Sequence, residues 1–395
     1  MTKICCLLAC VLAFHGYASE LDVTASLRSQ GWYAEQLEEA DYRVRFDTEL
    51  KYKPYQGLEL VAGGWLQQSD IHPQQRASGW RSSPLPAQVG LAQAFVRYRK
   101  DNHEWTLGRQ LVDWRVTDTI SVADVWAPRD FSDVLEPQQL AFSALRWRWF
   151  GPLQLDLIYS PEPSPSRLPA GIWQQEAIPL LPQDNSEAGE QLGIRISGNW
   201  RQQDLTLYGY SGYGYSPAAR IEAAGIRPYY DGQHIFGGTW VSPLDGSALM
   251  RAEIGYVRQN HGDDYLQWVL ALEKEFFEVL GEQDHWLLLV QTADEKVTQG
   301  GEQLPGWVDF RRVFRDNLMG RISWDPEGDE ETLLILEWSI DTAESGQYFE
   351  IQTEQRLNDH ATVSLSWQQL SGSAQSFWGS YRDRDRIGLS VSYFF

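Results

Sequence analysis

The sequence predicts an all-β chain: one antiparallel, up-and-down sheet of about eighteen strands (roughly sixteen to eighteen), closed into a barrel. Three observations carry this reading. Apolar and polar residues alternate strictly, most clearly where Tyr42, Val44, Phe46, Thr48, Leu50 and Tyr52 interleave with Arg43, Arg45, Asp47, Glu49 and Lys51, the period of a strand with one greasy and one wet wall. The pattern recurs along the whole chain, separated by turn-forming clusters such as Lys53-Pro54-Tyr55-Gln56-Gly57, Gly151-Pro152 and Pro326-Glu327-Gly328-Asp329. No linker or change of composition splits the chain, and past residue 18 no apolar run approaches the roughly 20 residues of a spanning helix.

Residues 1–18 read as a secretory signal: Lys3, an apolar run through Leu7, Leu8, Val11, Leu12 and Phe14, and a small-residue exit at Gly16-Tyr17-Ala18. Leu7-Leu8-Ala9-Cys10 also permits a lipoprotein cleavage box. All three cysteines, Cys5, Cys6 and Cys10, fall in this segment, so disulfides, thiolate catalysis and cysteine metal sites are not expected in the mature chain. The barrel is expected to occupy residues 19–395. Its first strand, Leu21 to Trp32, starts so near the exit that no plug domain is expected.

Strands then follow in hairpins. The second is the alternating segment above, the third Leu58 to Gln68, the fourth and fifth Val89 to Lys100 and His103 to Trp114. Leu145, Trp147 and Trp149 alternate with Arg146 and Arg148 in the sixth, Ala141 to Phe150, and the seventh is Leu153 to Tyr159. A proline-rich connection, 160–189, is longer than compact domains usually tolerate and suits a surface or inward-folded loop. Further strands are expected near Gln191, Leu205, His234, Ala248, Tyr265, His285, Arg312, Thr332, Tyr348 and Ala361, with Leu266, Trp268, Leu270 and Leu272 repeating the one-sided apolar pattern.

Arg386 to Phe395 closes the chain. Ile387, Leu389, Val391, Tyr393 and Phe395 hold one parity, Arg386, Gly388, Ser390 and Ser392 the other. This ending resembles the closing strand of bacterial outer-membrane β-barrels, and the resemblance implies that Tyr393 and Phe395 serve as the signal read by the barrel-assembly machinery. On these ten residues alone, an edge strand of a secreted sandwich is the alternative. The number of alternating segments, and the charge on their polar parity, favour a barrel in outer-membrane lipid, since a closed barrel of strands satisfies every backbone group in hydrocarbon. The 18 Trp and 18 Tyr fit interfacial girdles.

The stretch Gly108 to Glu136 carries Gly108-Arg109-Gln110, Trp114, Asp118, Asp124 and Pro128-Arg129-Asp130-Phe131. It resembles a pattern in a proteobacterial outer-membrane barrel family of unknown function, departing from it where Arg115 follows Trp114 in place of glycine; the resemblance implies no activity. The stretch leaves a strand as a long connection bearing Asp118, Asp124, Asp130, Asp133 and Glu136. Arg43, Arg45, Arg97, Arg99, Arg146 and Arg148 share the polar parity of neighbouring strands and, with Arg109, are expected to line a pore. Folded inward, the acidic connection would face these arginines across a charged constriction that passes small polar solutes. The competing reading is that these charges brace the wall and the loop is a plug.

A formal charge of −21 disfavours nucleic-acid binding. The seven histidines show neither an HExxH motif nor a close pair, so no catalytic, metal or cofactor site is expected. His261-Gly262-Asp263-Asp264 and Asp329-Glu330-Glu331 read as solvated turns, with a calcium site as the other reading. Gly209-Tyr210-Ser211-Gly212-Tyr213-Gly214-Tyr215 suits either a sugar slide or an interfacial girdle. The functional expectation is a passive outer-membrane channel for small hydrophilic or amphipathic solutes, leaning toward cations; alternatives are a polysaccharide export conduit and a closed barrel acting as a scaffold for other proteins.

Overall fold

In the computed structural model, residues 21–69, 88–162, 164–173, 181, 189–215, 218–244, 246–301 and 310–395 are described. Among them, eighteen strands form one sheet: β1 (Leu21–Ala34), β2 (Glu39–Tyr55), β3 (Leu58–Ser69), β4 (Gln88–Lys100), β5 (His103–Gln110), β6 (Phe142–Phe150), β7 (Gln154–Ser160), β8 (Gln191–Trp200), β9 (Gln203–Tyr213), β10 (Gly232–Pro243), β11 (Ala248–Gln259), β12 (Asp264–Phe277), β13 (His285–Gln299), β14 (Asn317–Asp325), β15 (Thr332–Asp341), β16 (Gln347–Asn358), β17 (Ala361–Ser371) and β18 (Arg386–Phe394). Neighbours pair antiparallel. Leu27 of β1 lies opposite Phe46 of β2 and opposite Tyr393 of β18, so the ring closes without a free edge. The signal reading of residues 1–18 lies outside the described residues, as does the connection 70–87.

Two expected boundaries move. β5 stops at Gln110 instead of running to Trp114, because Gly108 adopts φ +125° and a side chain there would sit 2.3 Å from the Ala94 carbonyl oxygen. That bend releases the following residues from the wall. The strand expected from Arg312 starts at Asn317, since Phe310–Phe314 winds into a short 3-10 turn.

The period-two pattern sorts the side chains. Leu207 is 70 % exposed and Phe236 68 %, whereas their strand neighbours Tyr208 and Ile235 are 4 % and 5 % exposed. An exposed apolar belt of this kind around a closed sheet is the lipid face of a membrane barrel. Trp105 and Trp147 (ring centroids 5.8 Å apart), Trp286 and Trp324 (5.4 Å) and Tyr393 gather near one end of the strands. That end carries the tight turns Gln56–Gly57, Asp101–Asn102 and Asp359–His360, while the long connections 111–141, 161–190 and 372–385 leave the other. Moving one charge across the wall tests the assignment: Leu207→Arg should lower unfolding stability in lipid by about 2–4 kcal/mol if the residue lies near the bilayer midplane. Thr206→Arg, on the lumen parity, should cost far less; equal losses in urea titrations would contradict the facing.

Candidate functional site

The connection 111–141 folds into the barrel. Trp114, Trp126 and Phe142 form a buried cluster with Tyr208, Tyr210 and Ile235 of the wall. Trp126 stacks on Phe142 at 5.2 Å and meets Tyr210 edge-on at 5.1 Å. Gly193 makes room for it, since a Cβ there would lie 2.5 Å from the indole. Trp114 donates its indole N–H to Asp156 at 3.1 Å.

One wall carboxylate fastens the loop. Glu253 of β11 accepts from the backbone N–H groups of Val116 (2.8 Å), Thr117 (2.9 Å), Val122 (2.6 Å) and Ala123 (2.9 Å) and from the Ser121 hydroxyl (2.7 Å). It is 2 % exposed. A buried charge is tolerated there because converging donors replace its lost hydration.

The expected pore residues divide by partner. Arg97 pairs with Glu59 (2.7 Å) and Glu104 (3.5 Å), Arg148 with Glu104, and Arg146 with Asp156 (2.9 Å), all within the wall. Arg99 lies 4.8 Å over the Phe150 ring. Arg109 is half-buried beside Gly108. Arg45 bridges Asp47 (2.8 Å) and Gln138 of the loop (2.7 Å). Arg43 reaches the loop acids Asp133 (3.9 Å) and Glu136 (3.7 Å). The remaining acids find partners outside the expected set: Asp118 bonds Arg321, Asp124 bonds Arg129 of its own loop, and Asp130 bonds Arg167 of the next connection at 2.7 Å. Asp133 meets Arg386 at 2.8 Å, both buried. Arg386 lies over the rings of Trp32 (4.9 Å) and Trp173 (5.1 Å).

Glu253, Arg321 and Arg386 were legible only as polar-parity positions, because the acids or amides that claim them lie far away in the chain. Burial pushes the Glu136 carboxyl above its ordinary range, and nearby Asp133 adds to this while Arg386 and Arg43 oppose it. Burial likewise raises Asp124, against the pull of Arg129.

An open space of about 440 Å³ remains along β1 and β16–β18. Its wall is built from short side chains, Ser364, Ser366, Ser390 and Ser392, with Gly388, so the lumen is not filled there. It runs between Ser392 and Phe394, toward the short-turn end, and the loop residues Glu136 to Gln138. A second space of about 30 Å³ lies among Arg43, Arg45, Asp130, Asp133 and Arg167. Glu136 and Gln138 border both spaces.

The tyrosine-rich segment forms neither a slide nor a girdle: Tyr210 and Tyr215 both donate to Gln191 (2.9 and 2.7 Å), and Tyr213 is fully buried, its hydroxyl receiving the Ser164 N–H at 2.5 Å. Asp263 is taken by Arg311 (2.9 Å) and Asp264 by the Gln259 N–H (2.9 Å), the roles of turn staples.

Because Arg97 and Arg99 engage wall groups, Arg97→Glu/Arg99→Glu should change ion selectivity little while weakening the barrel, with Glu59 losing its close arginine partner and Glu104 left with Arg148 alone. Reversal potentials and thermal unfolding of one preparation check this; a large selectivity change would put these arginines on the conduction path.

A closed ring with an apolar outer belt, a polar interior and a long connection folded inside defines the class: a porin-like β-barrel of the bacterial outer membrane. No protein-family model matches the chain, and no curated protein matches it in sequence. Among solved structures it is similar to Pseudomonas aeruginosa OpdK, solved with vanillate, at 13 % identity and a TM-score of 0.57, covering 96 % of this chain and 100 % of that one. It is also similar to OccK8 (OprE) of the same organism, at 10 % identity and 0.56, covering 96 % and 99 %, and to OccD3 (OpdP), at 12 % and 0.52, covering 96 % and 93 %. At these identities the likeness is one of fold.

Proposed function

We propose that the protein is a passive outer-membrane channel for small hydrophilic or amphipathic solutes. The observation that carries this is the space of about 440 Å³ lined by serines and acids, the size of a pocket for one small molecule. In this reading the passage is constricted where Glu136 and Gln138, which border both spaces, meet Arg43 and Arg45 of the second one. Opposed charges at that point make a transverse field that favours polar solutes over apolar ones. The similarity to OpdK, solved with an aromatic acid bound, supports solute passage as the role of such a lumen without naming the solute here.

Single-channel recording of purified protein in planar bilayers, with liposome swelling against sugars, amino acids and aromatic acids, tests the proposal. Stepwise conductance is expected; a silent bilayer would favour a scaffold barrel instead.

The closing strand supports recognition by the assembly machinery. Phe395 donates its N–H to the Ala25 carbonyl (3.0 Å) and its ring stands 4.9 Å from Tyr393. Deleting Phe395 should leave much less folded protein in the outer membrane, read as loss of the heat-modifiable band in gels of membrane fractions; an undiminished band would remove that role.

A further inference from the structure

The arrangement of charges around the open space deepens the channel reading and rests on it. Several lumen acids in the rest of the barrel are paired with arginine: Glu59 and Glu104 with Arg97, Asp156 with Arg146, and Asp133 with Arg386. Glu350 and Glu354 of β16 differ. Both line the open space, and among the described residues neither forms an ion pair with a lysine or arginine. Glu350 accepts only neutral donors, the Tyr348 hydroxyl at 2.6 Å and the Gln368 amide at 2.8 Å. It also stands directly across the strand pair from Glu337, an arrangement of like charges that costs stability in a sheet. Glu337 shares Arg321 (3.7 Å) with Asp118. Facing this acidic side, the one basic side chain lining the space among the described residues is Arg28, bonded to the Ser392 hydroxyl at 3.3 Å.

We infer that the passage runs along β1 and β16–β18, away from the arginines of β4–β6, and that Glu350 and Glu354 make it select small cationic solutes carrying ammonium or guanidinium groups over carboxylates. Two carboxylates without an ion-pair partner set a negative potential along a passage whose remaining polar lining, Arg28 and Glu136 aside, is mainly hydroxyls and amides. Those neutral groups solvate a cation's hydrogen-bond donors as it moves. Arg28 trims this potential at the short-turn end.

The test is the reversal potential of the channel in a KCl gradient, followed by reversal potentials with methylguanidinium chloride and potassium acetate. Wild type should favour potassium over chloride and admit methylguanidinium more readily than acetate. Glu350→Gln/Glu354→Gln keeps the shape and should lower the cation-to-anion permeability ratio by roughly threefold to fivefold, the effect of removing unit charges a few ångströms from a wet path. Arg28→Glu should raise the ratio. Heat-modifiable mobility confirms that each variant is folded. A conducting wild type without cation preference, or a folded double variant with an unchanged ratio, overturns this inference and leaves the channel reading intact. Absence of conductance overturns both.

Discussion

Glu253→Ala is expected to open the barrel. The substitution strips five donors of the inward loop of their common acceptor, and each hydrogen bond to a charged group is worth about 1.5–3 kcal/mol. Not all of that is lost, because water entering the gap would satisfy part of the freed backbone. Even a fraction is large against the local opening free energy of a segment for which Glu253 supplies most of the hydrogen bonds to the wall. Within 115–123 the polar contacts to the wall that stay are single ones, Asp118 with Arg321, the Ile120 carbonyl with Gln291 and the Val122 carbonyl with Tyr208, while Trp126 packed on Phe142 and Asp133 bonded to Arg386 lie farther along the connection. Loosening should begin at 115–123, where five bonds are lost at once. Single-channel conductance should rise several-fold with added noise, and residues 115–123 should become cleavable by added protease, while the wall keeps its heat-modifiable mobility. Glu253→Gln, which retains one acceptor oxygen, should fall between. A variant with wild-type conductance and a protease-resistant loop would show that Glu253 does not hold the loop in place.

Ser364→Trp/Ser390→Trp is expected to do the reverse. The two serines lie directly opposite each other on β17 and β18, both facing the open space. An indole at each would project into the volume that short side chains leave clear. Neither change touches an ion pair, and the lipid-facing neighbours Leu365 and Leu389 stay as they are. Conductance should drop several-fold with the folded yield maintained. Placing the same indoles at Leu365 and Leu389, on the lipid face, should leave conductance near wild type. If the lumen pair conducts normally, solutes take another route through the barrel.

The two experiments address different contributions to one cross-section. The first part of the loop and its anchor fill the side bounded by β8–β14, where Tyr208, Tyr210, Glu253, Gln291 and Arg321 receive it. The short side chains of β17 and β18 leave the opposite side clear. The arginines of β4–β6 belong to neither: with Glu59, Glu104 and Asp156 they cross-link the wall, an arrangement closer to the bracing reading than to a free basic ladder. Only Arg43 and Arg45 among the expected arginines touch residues of the loop that border the open space.

Much of this was local information. Alternation at period two, as in Tyr42 to Tyr52 or Ile387 to Tyr393, assigns each residue to lipid or lumen because backbone geometry turns successive side chains to opposite faces. Turn residues then delimit the strands, so the sequence by itself determined the barrel, a strand number close to the eighteen of the sheet, and the polar parity of Arg43 and Arg45. Only the tertiary structure decided which charge meets which, that Asp133 is claimed by Arg386, and that the lumen stays open beside the serines of β17 and β18. The Asp133–Arg386 contact joins residues 253 positions apart, and the open lumen reflects the summed volume of side chains around a closed ring; neither is carried by any single segment of the chain.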